Sequence, residues 1–385
     1  TFKEGGTNFT NSLLVGTDTT GTLSSADGNT GVGTGVLAAL TSGDDNVAVG
    51  LNALNDITTG DGNVAIGLET LAKATTADDL TAVGRCALEA NTSGTENTSV
   101  GAYAMRENTT GDKNTALGYA ALQVNLSADQ NTGVGYFALN ANTTGDCNTA
   151  VGKGSLDTNT EGTRNVAVGG EALGANTTAS FNNALGYKAL CSNTTGASNI
   201  AIGTCSMRIN TTGGSNVAVG DKALCANTTG AQITTVGANA LTANTEGHST
   251  VAVGYEALLA NTTAAYNVAV GHRSLKTNTT GASNVAIGRQ ALLDNTTGKC
   301  NIAIGASALA NNTTADNNTS IGTNSMEVNT TGADNTAVGF NSLDANTTGT
   351  DGSALGSSAL TANTTGNSNT AIGRLSLTAN TTGAS

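Results

Sequence analysis

The chain contains no proline and no tryptophan, and among its 385 residues only 3% are aromatic and 11% charged. Without proline, nothing in the chain forbids uninterrupted backbone pairing. So few large side chains cannot fill a thick core, which means that apolar mass must be spread thinly along an axis. Positive charge is scarce as well. The 15 Lys and Arg against 28 Asp and Glu leave a net charge of −13, which argues against nucleic acid or an anionic membrane as a partner. No basic run interleaved with aromatics occurs. No apolar stretch approaches the ~20 residues of a membrane span, and no signal-peptide pattern opens the chain.

Glycine is abundant, with 51 residues, and much of it is periodic. Asn284-Val-Ala-Ile-Gly288 is followed by Ala291-Leu292 and Asn295-Thr-Thr-Gly298, and the same series restarts at Asn301. The reference glycine recurs every 17 residues from Gly16 to Gly373, 22 times without insertion or deletion. A short period held this strictly marks a solenoid rather than a compact enzyme and overrides the two or three domains that the length would suggest. The residue before the glycine is Val, Ile or Leu in every copy. Four residues after it stands Leu in 18 copies and Met in three, Met105, Met207 and Met326. Two before it the residue is mostly Ala, as in Ala48 and Ala65, and three before it mainly Val, Ile or Thr.

Short β-branched runs bounded by Gly and Asn predict strands. The expected fold is all-β, a parallel β-solenoid of about 22 seventeen-residue turns with two short strands per turn, one at Val-Ala-Val and one at Ala-Leu. The reference glycine and Asn-Thr-Thr-Gly form the corners, where φ > 0 is tolerated. At about 4.8 Å per turn the stack would be a rod on the order of 100 Å long. Hydrophobic burial in so thin a coil needs help from hydrogen-bond ladders and from packing between chains. The Ala column, opposite to Val and Ile by strand alternation, suits close approach by another sheet; a tight inner corner of a single coil is the other reading. Residues 1–28 carry the period faintly. Thr20 replaces the usual Leu, and Phe2 and Phe9 have no counterparts, so this segment reads as a degenerate turn or cap ahead of a continuous array over 29–385. Residue 1 reads as a mature end or the edge of a longer chain. The array stops mid-repeat at Ser385 and is expected to continue or to abut another subunit.

The Asn-Val-Ala-Ile-Gly motif resembles the head repeat of YadA-type trimeric autotransporter adhesins. It is also similar to the NTTG-type β-roll repeats of bacterial and phage fibre proteins. The resemblance covers about residues 29–385 and implies a left-handed parallel β-roll, three chains about one axis, and a surface fibre. The repeat here is longer than that of the adhesins, and no coiled-coil stalk or membrane anchor is visible.

Seven residues after the glycine, an Asn begins an Asn-X-Thr/Ser triplet in 16 copies: Asn91, Asn108, Asn125, Asn142, Asn176, Asn193, Asn210, Asn227, Asn261, Asn278, Asn295, Asn312, Asn329, Asn346, Asn363 and Asn380. Each is formally an N-glycosylation acceptor. The alternative is an Asn ladder, with side chains hydrogen-bonding along the stack. The two halves of the triplet vary independently, which favours the ladder. Leu40, Ile57 and Ala74 replace the Asn while Ser42, Thr59 and Thr76 remain, and Glu161 and Glu246 replace the hydroxyl beyond Asn159 and Asn244.

The remaining chemistry is sparse. The closest same-column cysteines, Cys191 and Cys225, fall two turns apart, too far for a disulfide, so the six cysteines are expected as free or interchain thiols. His248 and His272 occupy different columns without a partner Cys or carboxylate in register, and no metal, cofactor or nucleophile–base pair is expected. Aromatics beside the reference glycine, Tyr119, Tyr136, Phe137, Tyr187, Tyr255 and Phe340, either contact a glycan or partner or merely cover a corner. The expectation is a non-enzymatic, extracellular or virion-surface fibre or adhesin shaft. It would self-associate as a homotrimer or filament, with a host surface or glycan as a further partner. The alternatives are a glycan-coated filament subunit and an ice-binding solenoid.

Overall fold

The computed structural model describes residues 2–6, 8–16 and 20–384; Thr1, Thr7, Thr17, Asp18 and Thr19 of the expected N-terminal turn lie outside them, as does Ser385. The chain forms two compact units, Thr1–Thr195 and Gly196–Ser385. Each is a parallel β-solenoid in which residue i pairs with residue i+17, as Thr149 with Val166 in the first unit and Val251 with Val268 in the second. Among the described residues there are ten three-residue strands in the first unit and eleven in the second, with no helix.

The first unit begins with strand β1 (Phe2–Gly6) antiparallel to β2 (Phe9–Val15), with Phe2 opposite Val15 and Gly6 opposite Phe9. The other edge of β2 pairs in parallel with β3 (Ala26–Asp27) and β4 (Thr30–Val32). The hairpin therefore occupies the backbone edge of the first coil that would otherwise face solvent unpaired. The regular array follows with β5 (Val47–Val49), whose Thr30↔Val47, Gly31↔Ala48 and Val32↔Val49 register is repeated from coil to coil within each unit.

The alanine column does not face outward. Ala48, Ala65 and Ala82 are fully buried, whereas the flanking Val and Ile columns stay half-exposed or exposed. The expectation that alanines receive another chain is thus corrected: they line the inside of their own coil. The reason is space. At Gly31, which occupies this column, an added Cβ would lie 2.5 Å from Leu14 Cδ2 and 3.1 Å from Val36 Cγ2. Leu side chains already fill the coil, so the strand's inward residue must be small.

Among the described residues no second strand forms at the Ala-Leu segment. Ala53 and Leu54 are both fully buried, which adjacent residues of a strand with one face to solvent would not be. Asn52 and Leu54 have φ of 57° and 48°, so alternate left-handed residues curl the segment and direct both neighbours inward. The coil still hydrogen-bonds its neighbours here, with Asn52 N–H donating to Thr34 O (2.9 Å) and Leu54 N–H to Thr70 O (3.1 Å). Burial of the leucine depends on the following coil. Leu360 is fully buried, while Leu377, in the last coil described, is 48% exposed.

A third left-handed position falls five residues before the reference glycine, as at Asp45, Asp79 and Ser283. For L-residues this conformation costs about 1–2 kcal/mol, and Gly28 and Gly62 stand in the same column at φ 65° and 68°. Ser283→Gly is therefore expected to stabilise the fold by about 1 kcal/mol. A denaturant titration would check this, and a lower midpoint would show that the Ser283 backbone is not held left-handed.

Candidate functional site

The sixteen candidate acceptor asparagines point into the coil. From Asn91 to Asn346 they are fully buried, Asn363 is 2% exposed, and Asn380 is half-exposed. Asn295 shows the arrangement: its Nδ2 donates to Asn278 Oδ1 (2.8 Å) and to Gly298 O (3.0 Å), while its Oδ1 accepts from Asn312 Nδ2 (2.9 Å). Asn159 and Asn244, which lack the hydroxyl two residues on, join the same ladder. Where both protons of the Nδ2 are committed inside the coil, as at Asn295, the amide is not presented at the surface of the folded stack.

Sequence reasoning passed over a second ladder, formed by the Asn that opens each Asn-Val-Ala-Ile-Gly segment. Asn284 Oδ1 accepts from the backbone N–H of Asn301 (3.0 Å) and from its Nδ2 (3.2 Å). Asn284 Nδ2 donates to Gly298 O at 2.8 Å, the carbonyl that also accepts from Asn295. The two ladders therefore meet at one column of carbonyls and pair most of the buried polar groups of the corner, Asn131 Nδ2 being left without a partner. The signal was available in that column, which holds Asn in 17 of the 22 copies.

With Ala and Asn inside, the outward residues are what a partner meets. Each three-residue strand presents two side chains to solvent, and many are large and apolar. Ile66, Leu117 and Leu185 are 40%, 48% and 49% exposed in the first unit, and Ile302 and Ile304 are 37% and 36% exposed in the second. The face recurs on every strand, because i and i+17 lie side by side.

A second outward feature collects the aromatics of the first unit. Tyr119 and Tyr136 stack at 5.4 Å with rings 14° from parallel, and Phe137 meets Tyr136 edge-on at 4.4 Å. Tyr103 adds an edge contact to Tyr119 at 5.8 Å, with Arg85 over its ring at 5.3 Å. Beside Tyr136 and Phe137 lies an open notch of about 420 Å³, lined also by Lys153, Asp157, Glu171 and Cys191. It exists because two columns that otherwise carry side chains at these turns are empty at Gly154 and Gly174. Thr158 on its wall is tied down, its hydroxyl donating to Gly174 O at 2.8 Å. Burial pushes the Asp157 carboxyl up from its ordinary range, as desolvation disfavours the charged form.

Aromatics of the second unit enter a charged cluster instead. Tyr255 stacks on His272 at 5.6 Å, and Glu256 Oε2 accepts from Lys276 Nζ (2.8 Å) and Arg273 Nε (2.9 Å). The Lys276 hydrogen bond, opposed by burial and reinforced by Tyr255 and Arg273, holds the Glu256 carboxyl at about 2. Because this folded-state value lies below that of an unfolded glutamate, the stabilisation is present above about pH 4.3 and is lost as pH falls towards 2. Glu256→Gln is expected to lower stability by about 1 kcal/mol at neutral pH and to match the parent at the acid end. Urea titrations across this range would check it; an equal gap at both ends would mean that the effect is not electrostatic.

Among the described residues no two cysteines form a disulfide; Cys86 is buried and Cys147 and Cys300 are exposed. Burial and the nearby Glu89 push the Cys86 thiol up, away from the reactive thiolate. His248 sits edge-on to Tyr266 at 5.0 Å. Among the described residues no group of three His, Cys, Asp or Glu could hold a metal ion, and no helix is long and apolar enough to cross a membrane. Compared with protein-family models and with curated proteins, the chain gives no match.

Proposed function

We propose that this chain is a structural protein, an extracellular fibre or adhesin shaft whose copies associate side by side, as a homotrimer, on the outward apolar strand face. The observation that carries the proposal is the periodic exposure of that face, with residues such as Val151, Ile287 and Ile321 each 37–39% exposed. Repeated apolar exposure of this kind marks an interaction surface. Its occupant is a second and a third copy of the same chain. Side chains repeating once per coil, about 4.8 Å apart, are matched along their whole length only by a partner with the same rise. The resemblance to trimeric adhesin and fibre repeats points the same way, and the acidic surface suits a soluble, exposed filament. The first Thr of each Asn-Thr-Thr-Gly gives its hydroxyl to the next coil's carbonyl, as Thr296 does to Thr313 O at 2.9 Å. The first Thr column is therefore engaged within the stack, which weakens the ice-binding alternative.

Light scattering coupled to size exclusion tests the proposal. The parent is expected at three times its 37.7 kDa chain mass. A double variant, Ile287→Lys with Ile304→Lys, is expected at one chain mass with an unchanged circular dichroism spectrum. A monomeric parent at micromolar concentration would overturn the proposal. The same measurement bears on glycosylation, since a shaft with its asparagines in ladders should have the mass of the bare polypeptide.

A further inference from the structure

We propose that the notch beside Tyr136 binds one pyranose ring of a neutral glycan, with the sugar's C–H face on the tyrosine ring and its hydroxyls among Lys153, Asp157 and Glu171. The notch has a built aromatic wall. Tyr136 is 48% exposed, yet its ring is fixed from two sides by stacking on Tyr119 and by the edge of Phe137. A rigid amphipathic ring offers contact area at little cost in ordering. The volume of about 420 Å³ falls within the range of small-molecule sites.

The charges around the ring narrow the ligand class. Asp157 and Glu171 on the lining disfavour an anion, and because Lys188 pairs with Glu171 and Lys153 offsets Asp157 the rim offers no net negative charge to a cation. Among the described residues, neither Lys153 nor Asp157 takes part in an ion pair, and Glu171 shares its carboxylate with Lys188 Nζ at 3.4 Å. Charged acceptors and a charged donor on one rim therefore remain available for hydrogen bonds, which are strong when one partner is ionised. A wholly apolar ligand would leave these groups desolvated and unpaired. A neutral polyol with one apolar face uses both the ring and the rim. Partial desolvation of Asp157 makes it a better acceptor for a hydroxyl than a fully hydrated carboxylate.

The site is distinct from the strand face on which copies would associate, so the two proposals fail separately. The test is saturation-transfer NMR on the full chain with the methyl glycosides of glucose, galactose, mannose and N-acetylglucosamine, and with cyclohexanol as an apolar control. At least one glycoside is expected to receive saturation at its ring C–H protons more strongly than cyclohexanol. Its affinity should fall by about tenfold or more in Tyr136→Ala, which removes the platform. It should fall likewise in Gly154→Asn, which fills the notch. The second variant keeps the fold: Gly154 has φ 62°, where Asn52 and Asn239 already stand in the same column at 57° and 56°. A Cβ there would meet nothing nearer than Glu171 Cγ at 3.9 Å. No glycoside bound, binding undiminished in both variants, or cyclohexanol bound equally well would each overturn the proposal.

Discussion

Gly271→Ala is expected to destabilise the second unit by more than about 4 kcal/mol and to separate the unfolding of the coils on either side of it. Two costs combine at this residue. Its φ of 135° lies in a region that side-chain-bearing residues almost never enter. An added Cβ would also stand 2.5 Å from Gly288 O and 2.7 Å from Gly288 C, and both are backbone atoms that cannot rotate away. Relief would require the coils to part. Gly271 N–H donates to Val253 O and Gly288 N–H to Val270 O, each at 2.8 Å, so parting would break the parallel ladder. In a stack where each coil touches only its neighbours, a broken interface uncouples what lies on either side. Gly298→Ala is the control. An added Cβ there would also lie 2.4 Å from Ala315 O and from Asn295 Oδ1, but Gly298 is not at positive φ and its column already carries alanine at Ala264 and Ala315, so a smaller cost of about 1–3 kcal/mol is expected. Far-UV circular dichroism during denaturant titration reads both variants. Equal effects would mean that the reference corner is not uniquely restricted.

Asn295→Asp should be nearly as damaging, but in a pH-dependent way. The substitution turns the Nδ2 that donates to Asn278 Oδ1 and Gly298 O into an oxygen facing two acceptors, at a fully buried position. A buried carboxylate without a counter-charge costs about 3–5 kcal/mol. Protonation removes the charge and restores one donor, so the folded-state pKa of the new carboxyl should rise well above the unfolded value of about 3.9. Since the folded value is the raised one, the deficit is full above it and shrinks as pH falls through it towards the unfolded value. Asn295→Leu is the companion variant. It leaves Asn312 Nδ2 without its 2.9 Å acceptor at every pH, so its deficit should be constant. Stability from about pH 7 to about pH 4 separates the two. A flat profile for the aspartate would mean that its carboxylate reaches water and that the ladder is not closed.

The sequence by itself determined which residues lie side by side. An unbroken 17-residue period allows one in-register pairing, i on i+17, and that alone yields the parallel solenoid, the stacked Leu column and the Asn ladder. Glycine at all 22 reference positions likewise made the positive-φ corner readable, because only that residue could stand there. Tertiary structure decided which way each column faces. In Val47-Ala48-Val49, alternation requires Ala48 to oppose its neighbours but does not say which side is the interior, and hydrophobicity favours the wrong one. The curl imposed by Asn52 and Leu54, both left-handed, sends adjacent Ala53 and Leu54 inward. The space left on the opposite wall suits a small side chain, alanine in most coils and Ser99, Thr235 or Ser320 in others. For the same reason the Ala-Leu segment could not be told from a strand, since a left-handed leucine has no mark in the sequence. The notch was half legible. Gly154 and Gly174 stand out as empty positions in their columns, but the contact of Tyr136 with Phe137 follows from the direction the corner gives adjacent side chains, which only the folded coil fixes.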